Sequence, residues 1–148
     1  MGSIKSAVGI GSLLCDGIGD TIRVSLTDDP LEEIEAAKKI LGALGIEGQS
    51  GVQLISCPTC GRTKIDIIAL VNRFESELKK RRLSDIPVKV AIMGCAVNGP
   101  GEAREADIGV AGGIGEALLF KKGEIVEKIP EADIVSVLLD EIEKFIEK

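Results

Sequence analysis

The chain has 148 residues, of which 45% are apolar, and a formal net charge of −6. That apolar share excludes a disordered chain, and the negative balance excludes a general nucleic-acid binder, which needs a basic face. There is no His, so the commonest metal ligand and general base is missing, and any metal centre must use Cys, Asp or Glu.

No apolar run reaches the roughly 20 residues needed to span a bilayer. Ser12-Leu13-Leu14-Cys15 faintly resembles a lipoprotein site, but a Leu precedes Cys15 and glycines break the short apolar run. A signal peptide is therefore rejected and a cytoplasmic location is expected. In a reducing cytosol the 4 cysteines read as ligands or redox groups rather than disulfides.

In chain order, Ile4 to Leu14 reads as a short apolar helix ending at Cys15-Asp16-Gly17. Residues 21–26 alternate as a strand. Asp29 can cap a second helix with Pro30 at its first position. Leu31, Ile34, Leu41 and Leu44 would form its apolar face, and Gly45 would stop it. This helix–strand–helix piece cannot close a sheet by itself. Glu47-Gly48-Gln49-Ser50-Gly51 reads as a linker. Beyond it come a strand from Val52 to Ser56 and a helix from Ile65 to about Arg82. The apolar stripe of that helix is Ile67, Leu70, Val71, Phe74 and Leu78, and Lys79-Lys80-Arg81-Arg82 is its solvated end. Strands follow over 87–93 and 107–111, then a turn at Gly112-Gly113-Ile114-Gly115. Ala117–Lys121 and Glu124–Ile129 pair around Lys122-Gly123 as a hairpin. A closing helix spans Glu131 to Ile146, with Ile134, Leu138, Ile142 and Phe145 inward. The fold class is α+β: a mixed sheet with two helices on one face, in two layers, preceded by the helix–strand–helix piece.

Two loops carry the chemistry. Cys57-Pro58-Thr59-Cys60 follows one strand, and Cys95 lies in Met93-Gly94-Cys95-Ala96-Val97-Asn98-Gly99-Pro100-Gly101-Glu102 after another. The first motif fits a dithiol redox pair, half of a zinc site, part of an iron–sulfur signature or inert thiols. Cys95 favours the cluster, because a dithiol site does not need it and zinc would still want a fourth ligand. Glu102 could offer an oxygen to an iron left open by three cysteines. Cys15 has no partner motif and reads as a buried, inert thiol. Gly109 to Gly115 fits no dinucleotide fingerprint. Arg23 and Ser25 share one side of their strand and could hold a phosphate.

The two cysteine segments, with Lys5 to Gly11 and Gly17 to Thr27, closely resemble the C-terminal part of the 4-hydroxy-3-methylbut-2-enyl diphosphate synthase family. The resemblance implies a [4Fe–4S] cluster on Cys57, Cys60, Cys95 and Glu102, with the glutamate displaced by substrate. It implies a cyclic diphosphate substrate, 2-C-methyl-D-erythritol 2,4-cyclodiphosphate, contacted by Asn98 beside the cluster and by Arg23 and Ser25 at its diphosphate. It further implies a ferredoxin or flavodoxin electron donor, a homodimer in the full-length enzyme, and no membrane or nucleic-acid partner. Residues 1–47 then correspond to the end of a (β/α)₈ TIM barrel and 48–148 to the cluster domain. Most of the barrel has no counterpart here, so the chain is expected to be a fragment that turns over little by itself and exposes apolar surface in residues 1–46.

Overall fold

Apolar runs bounded by turns build a sheet in the C-terminal two thirds of the chain. In the computed structural model, which describes residues 2–46, 51–96 and 104–146, five strands lie side by side in sequence order. They are β1 (Gln53–Ser56), β2 (Lys89–Met93), β3 (Ile108–Gly112), β4 (Glu116–Lys121) and β5 (Glu124–Pro130). The first three are parallel, with Leu54 opposite Val90 and Ile92 opposite Val110. β3, β4 and β5 are antiparallel. Lys122 and Gly123 carry φ of 50° and 82°, the left-handed pair that matches a two-residue hairpin turn to strand twist.

Two helices of this unit cover the sheet. α3 (Ile67–Lys80) joins β1 to β2 and α4 (Ile134–Glu143) closes the chain after a 3₁₀ turn at Glu131–Asp133. (α1 and α2 belong to the N-terminal unit.) Phe74 and Leu78 of α3 pack with Ile134, Leu138 and Ile142 of α4 over Val90, Ile92, Val110 and Leu119 of the sheet. The opposite face is buried too, by Ala91, Met93, Ala111 and Phe120 with Ala106 from the β2–β3 connection. Burial on both faces explains why β2 and β3 read as continuous apolar runs.

Helix ends follow local chemistry. Asp66 accepts the Ala69 N–H at 3.0 Å, so α3 starts at Ile67 rather than at the expected Ile65. Arg82 closes it at φ 58°, and the Leu83 N–H reaches back to the Leu78 carbonyl at 3.1 Å, a left-handed cap without glycine. The basic run is exposed throughout, as expected of a solvated helix end. Arg81 donates to Asp140 at 2.9 Å and Glu143 at 3.1 Å, tying α3 to α4. Gly51, expected in the linker, is instead built into this unit. It is buried, its φ is +85°, and a Cβ there would stand 2.4 Å from the Ser84 carbonyl oxygen.

The chain divides into two compact units, Met1–Ser50 and Gly51–Lys148. The first contains α1 (Gly2–Cys15) and α2 (Pro30–Ala43). Asp29 caps α2, accepting the Leu31 N–H at 2.9 Å. Residues 21–26 correct the expected strand. Ile22, Val24 and Leu26 are the more buried side chains and Thr21, Arg23 and Ser25 the exposed ones, but the segment has no strand assignment. A strand exists by its ladder, and among the described residues this unit holds no neighbouring strand. The Leu26 N–H is satisfied by Glu33 Oε1 at 2.8 Å instead. On α2, Leu31 and Ile34 of the expected apolar face are exposed, in line with the apolar exposure expected of residues 1–46, whereas Ile40 is buried. Cys15, expected buried, is exposed. Two helices in contact cover one stripe of each other and leave the rest to solvent, so Ile4, Val8, Leu13 and Ile18 are exposed as well. Among the described residues no helix is long and apolar enough to cross a membrane.

Candidate functional site

Parallel pairing decides where the cysteines go. β1 and β2 run in the same direction, so the loops leaving their C-terminal ends emerge at one end of the sheet. Cys57 immediately follows Ser56, and Cys95 lies two residues after Met93. The Gly94 N–H donates to Cys57 Sγ at 3.3 Å, and the Gly94 carbonyl accepts the Lys64 N–H at 3.0 Å. One glycine thus joins both loops through its two backbone groups. Its missing side chain is required by the packing, since a Cβ would lie 2.4 Å from Ile67 Cδ1 and 2.9 Å from Thr63 Cγ2.

The three thiols differ in exposure. Cys57 is half-buried and packs against the apolar clusters on both faces of the sheet, which holds its sulfur in place. Cys95 is half-buried and Cys60 is exposed; none is in a disulfide. The Cys60 loop is closed by the Thr63 N–H donating to the Cys60 carbonyl at 3.0 Å and the Cys60 N–H donating to Thr63 Oγ1 at 3.1 Å. The Cys60 thiol is held below its ordinary value, first by the Arg62 backbone N–H and then by the Thr63 hydroxyl, with a smaller pull from the Arg62 charge. Lowered pKa and access are what a ligand or reactive thiol needs.

This arrangement discriminates among the uses of a Cys-x-x-Cys. In a dithiol oxidoreductase the pair sits at a helix N-terminus, whose partial positive charge stabilises the thiolate. Here α3 begins at Ile67, seven residues beyond Cys60, so the pair lies in a loop of its own. A structural zinc needs four ligands around one ion. In an iron–sulfur cluster each thiolate takes its own iron, so convergence on one point is not required, and N–H groups aimed at the sulfurs are a recurrent feature. Three thiols on adjacent loops, one of them accepting a backbone N–H, fit that donor set.

The other expected site residues divide into two groups. Arg23 and Ser25 lie in the N-terminal unit on the exposed side of their extended segment, as their spacing of two anticipates. Asn98 and Glu102 lie outside the described residues. Sequence reading overlooked Thr63 and did not single out Gly94 from the other glycines of its loop. The position of Thr63, three residues past Cys60, was a usable signal, because a hydroxyl at that spacing can close a turn on the backbone. For Gly94 the signal is tertiary, since its neighbours come from a different loop and helix.

A family model described as the GcpE protein C-terminal domain matches residues 53–144, and one described as the GcpE TIM-barrel domain matches residues 1–38. The 4-hydroxy-3-methylbut-2-en-1-yl diphosphate synthase (flavodoxin) of Clostridium acetobutylicum is 59% identical over 142 residues, covering 96% of this chain and 40% of the relative. The protein of the same name from Ruminiclostridium cellulolyticum is 58% identical over 141 residues, covering 95% and 39%. That of Geobacter sulfurreducens is 56% identical over 145 residues, covering 98% and 40%. The chain therefore spans about 40% of the length of the curated relatives it matches.

Proposed function

The chain belongs to the GcpE family, and from that premise we propose that it forms part of a 4-hydroxy-3-methylbut-2-enyl diphosphate synthase. In the proposed reaction the ring of 2-C-methyl-D-erythritol 2,4-cyclodiphosphate opens at a carbon–oxygen bond to phosphate. A hydroxyl leaves as water, and two electrons and two protons are taken up. The relatives' names specify flavodoxin, which makes flavodoxin, or the alternative carrier ferredoxin, the proposed donor. The whole enzyme is proposed to be a cytoplasmic homodimer. Residues 1–47 are assigned to the end of a (β/α)₈ barrel and 48–148 to a two-layer cluster domain.

Cys57, Cys60 and Cys95 would hold a [4Fe–4S] cluster, with Glu102 as the fourth ligand. When bound, such a cluster supplies electrons one at a time and an iron that polarises an oxygen ligand. The chain's own groups prepare the place for it. The Gly94 N–H offsets negative charge on the Cys57 sulfur, and the bare α-carbon of Gly94 lets the two loops approach. Arg23 offers a fork of N–H donors suited to a diphosphate, Ser25 adds a hydroxyl, and Asn98 is assigned to substrate contact. The observation that carries the reading is the 3.3 Å approach of the Gly94 N–H to Cys57 Sγ, which brings the two cysteine loops to one end of the sheet in the family-matched domain.

The test is iron, sulfide and zinc analysis with a visible absorbance spectrum, on protein reconstituted without oxygen. About four irons per chain and a broad visible band are expected, both lost in Cys95→Ser while the far-ultraviolet circular dichroism is kept. One zinc in colourless protein would favour a structural zinc module. Metal-free protein with a reversible Cys57–Cys60 disulfide that survives Cys95→Ser would favour a dithiol oxidoreductase.

A further inference from the structure

We propose that Thr63 is a positioning residue that sets where Cys60 stands relative to the Cys57–Gly94 pair. Three observations place it there. Its hydroxyl accepts the Cys60 N–H at 3.1 Å, and its own N–H donates to the Cys60 carbonyl at 3.0 Å. Its Cγ2 and Oγ1 lie 2.9 and 3.1 Å from the point where a Gly94 Cβ would stand. Thr63 therefore grips the Cys60 backbone from both sides while lying against the α-carbon of Gly94 in the other loop. The next residue, Lys64, repeats the link through its N–H to the Gly94 carbonyl at 3.0 Å.

This arrangement accounts for a difficulty in the site. Cys60 is exposed and lacks the apolar packing that holds Cys57, so an exposed loop of this kind would otherwise place its sulfur loosely. The β-branch of Thr63 restricts its χ1, and the keyed contact with Gly94 restricts it further. The same hydroxyl can direct its proton at Cys60 Sγ, 4.0 Å away, where a donor stabilises negative charge on the sulfur. Serine retains the hydroxyl and valine retains the branch, so the pair of substitutions separates hydrogen bonding from packing.

The inference rests on the cluster reading for its redox consequence but not for its backbone consequence, and the experiment uses both. In metal-free protein, amide hydrogen exchange is measured at Cys60 in the unmodified chain, Thr63→Ser and Thr63→Val. Exchange is expected about tenfold faster in Thr63→Val, the worth of one hydrogen bond, near the original rate in Thr63→Ser, and unchanged at Val110 in the core. In reconstituted protein, Thr63→Val is expected to lose iron faster to a chelator and to titrate at a more negative potential, because a donor to sulfur is gone; Thr63→Ser restores both. Unchanged Cys60 exchange in Thr63→Val overturns the proposal whether or not iron binds. Altered exchange in a chain that takes up no iron supports the brace and refutes the cluster reading alone. Altered exchange with unaltered iron loss and potential overturns the proposed positioning of the sulfur.

Discussion

Replacing Gly94 by alanine puts a methyl group where the two cysteine loops and α3 meet. The new carbon would stand 2.4 Å from Ile67 Cδ1, 2.9 Å from Thr63 Cγ2 and 3.1 Å from Thr63 Oγ1. Real carbons do not approach so closely, so something must move. Ile67 is only 3% exposed, and its tip is pressed into the core. Thr63 is tied to Cys60 by two hydrogen bonds. Neither neighbour yields freely, and forced overpacking of this kind costs about 1–3 kcal/mol. In a unit of this size each kcal/mol lowers the melting temperature by roughly 4–8 °C. A drop of about 5–20 °C is therefore expected, followed by circular dichroism, since the absence of Trp and Tyr removes the usual fluorescence signal. Iron retained after reconstitution should fall with it, because the shifted loops no longer offer Cys57 and Cys95 together. Gly61→Ala is the control. Gly61 lies in the same exposed loop with nothing within 4 Å of an added Cβ, and it should change stability by no more than about 0.5 kcal/mol. If Gly94→Ala melts with the unmodified chain and keeps its iron, Gly94 is not the keyed contact described here.

Two further outcomes are expected. Glu141 is buried and bridged by Lys121 and Lys144 at 2.7 Å each. Burial pushes its carboxyl upward, but the hydrogen bonds and charges of the two lysines outweigh that and hold it below the ordinary value. Its contribution is therefore present above the unfolded carboxylate value of about 4.3 and is lost as pH falls through the lower folded value. Glu141→Gln should flatten the acid limb of a stability-against-pH curve and cost about 1 kcal/mol at neutral pH, a discounted figure because both lysines are partly exposed. An acid limb identical in the variant would show that other carboxylates set it. In the N-terminal unit, Ile4 and Val8 are 67% and 69% exposed. Apolar surface of this kind drives association, so sedimentation velocity should show concentration-dependent self-association that Ile4→Lys with Val8→Lys reduces. Equal association in the double variant would place the contact elsewhere.

The C-terminal unit was largely legible because its signals are local. β-branched runs separated by turn residues mark the strands, the period of Phe74 and Leu78 marks α3, and Lys122-Gly123 marks the hairpin. The N-terminal unit was less so. Period-two alternation at Ile22, Val24 and Leu26 is visible in burial, yet alternation only reports which side chains turn inward; the ladder that makes a strand comes from another segment. Leu31 and Ile34 show the same limit, since helical spacing identifies an apolar stripe but not whether anything packs on it. The expectation for Cys15 followed the general tendency of thiols to be buried, whereas its particular position at the end of α1 leaves it exposed.

By itself the amino-acid sequence determined the element types of the C-terminal unit, the mixed α+β class, the family resemblance, and the candidate ligands Cys57, Cys60 and Cys95. Those depend on residue chemistry and short-range spacing, which a linear string contains. Only the tertiary structure decided that β1 and β2 run parallel and side by side. That pairing brings the 57–60 loop and the 94–95 loop to one end of the sheet, where the sequence reading also put them, across a separation of 37 positions between Cys57 and Gly94. It also decided that Gly94 and Thr63 are the contact between them, because a contact distant in sequence is set by how elements pack, and packing is recorded in no single stretch of the chain.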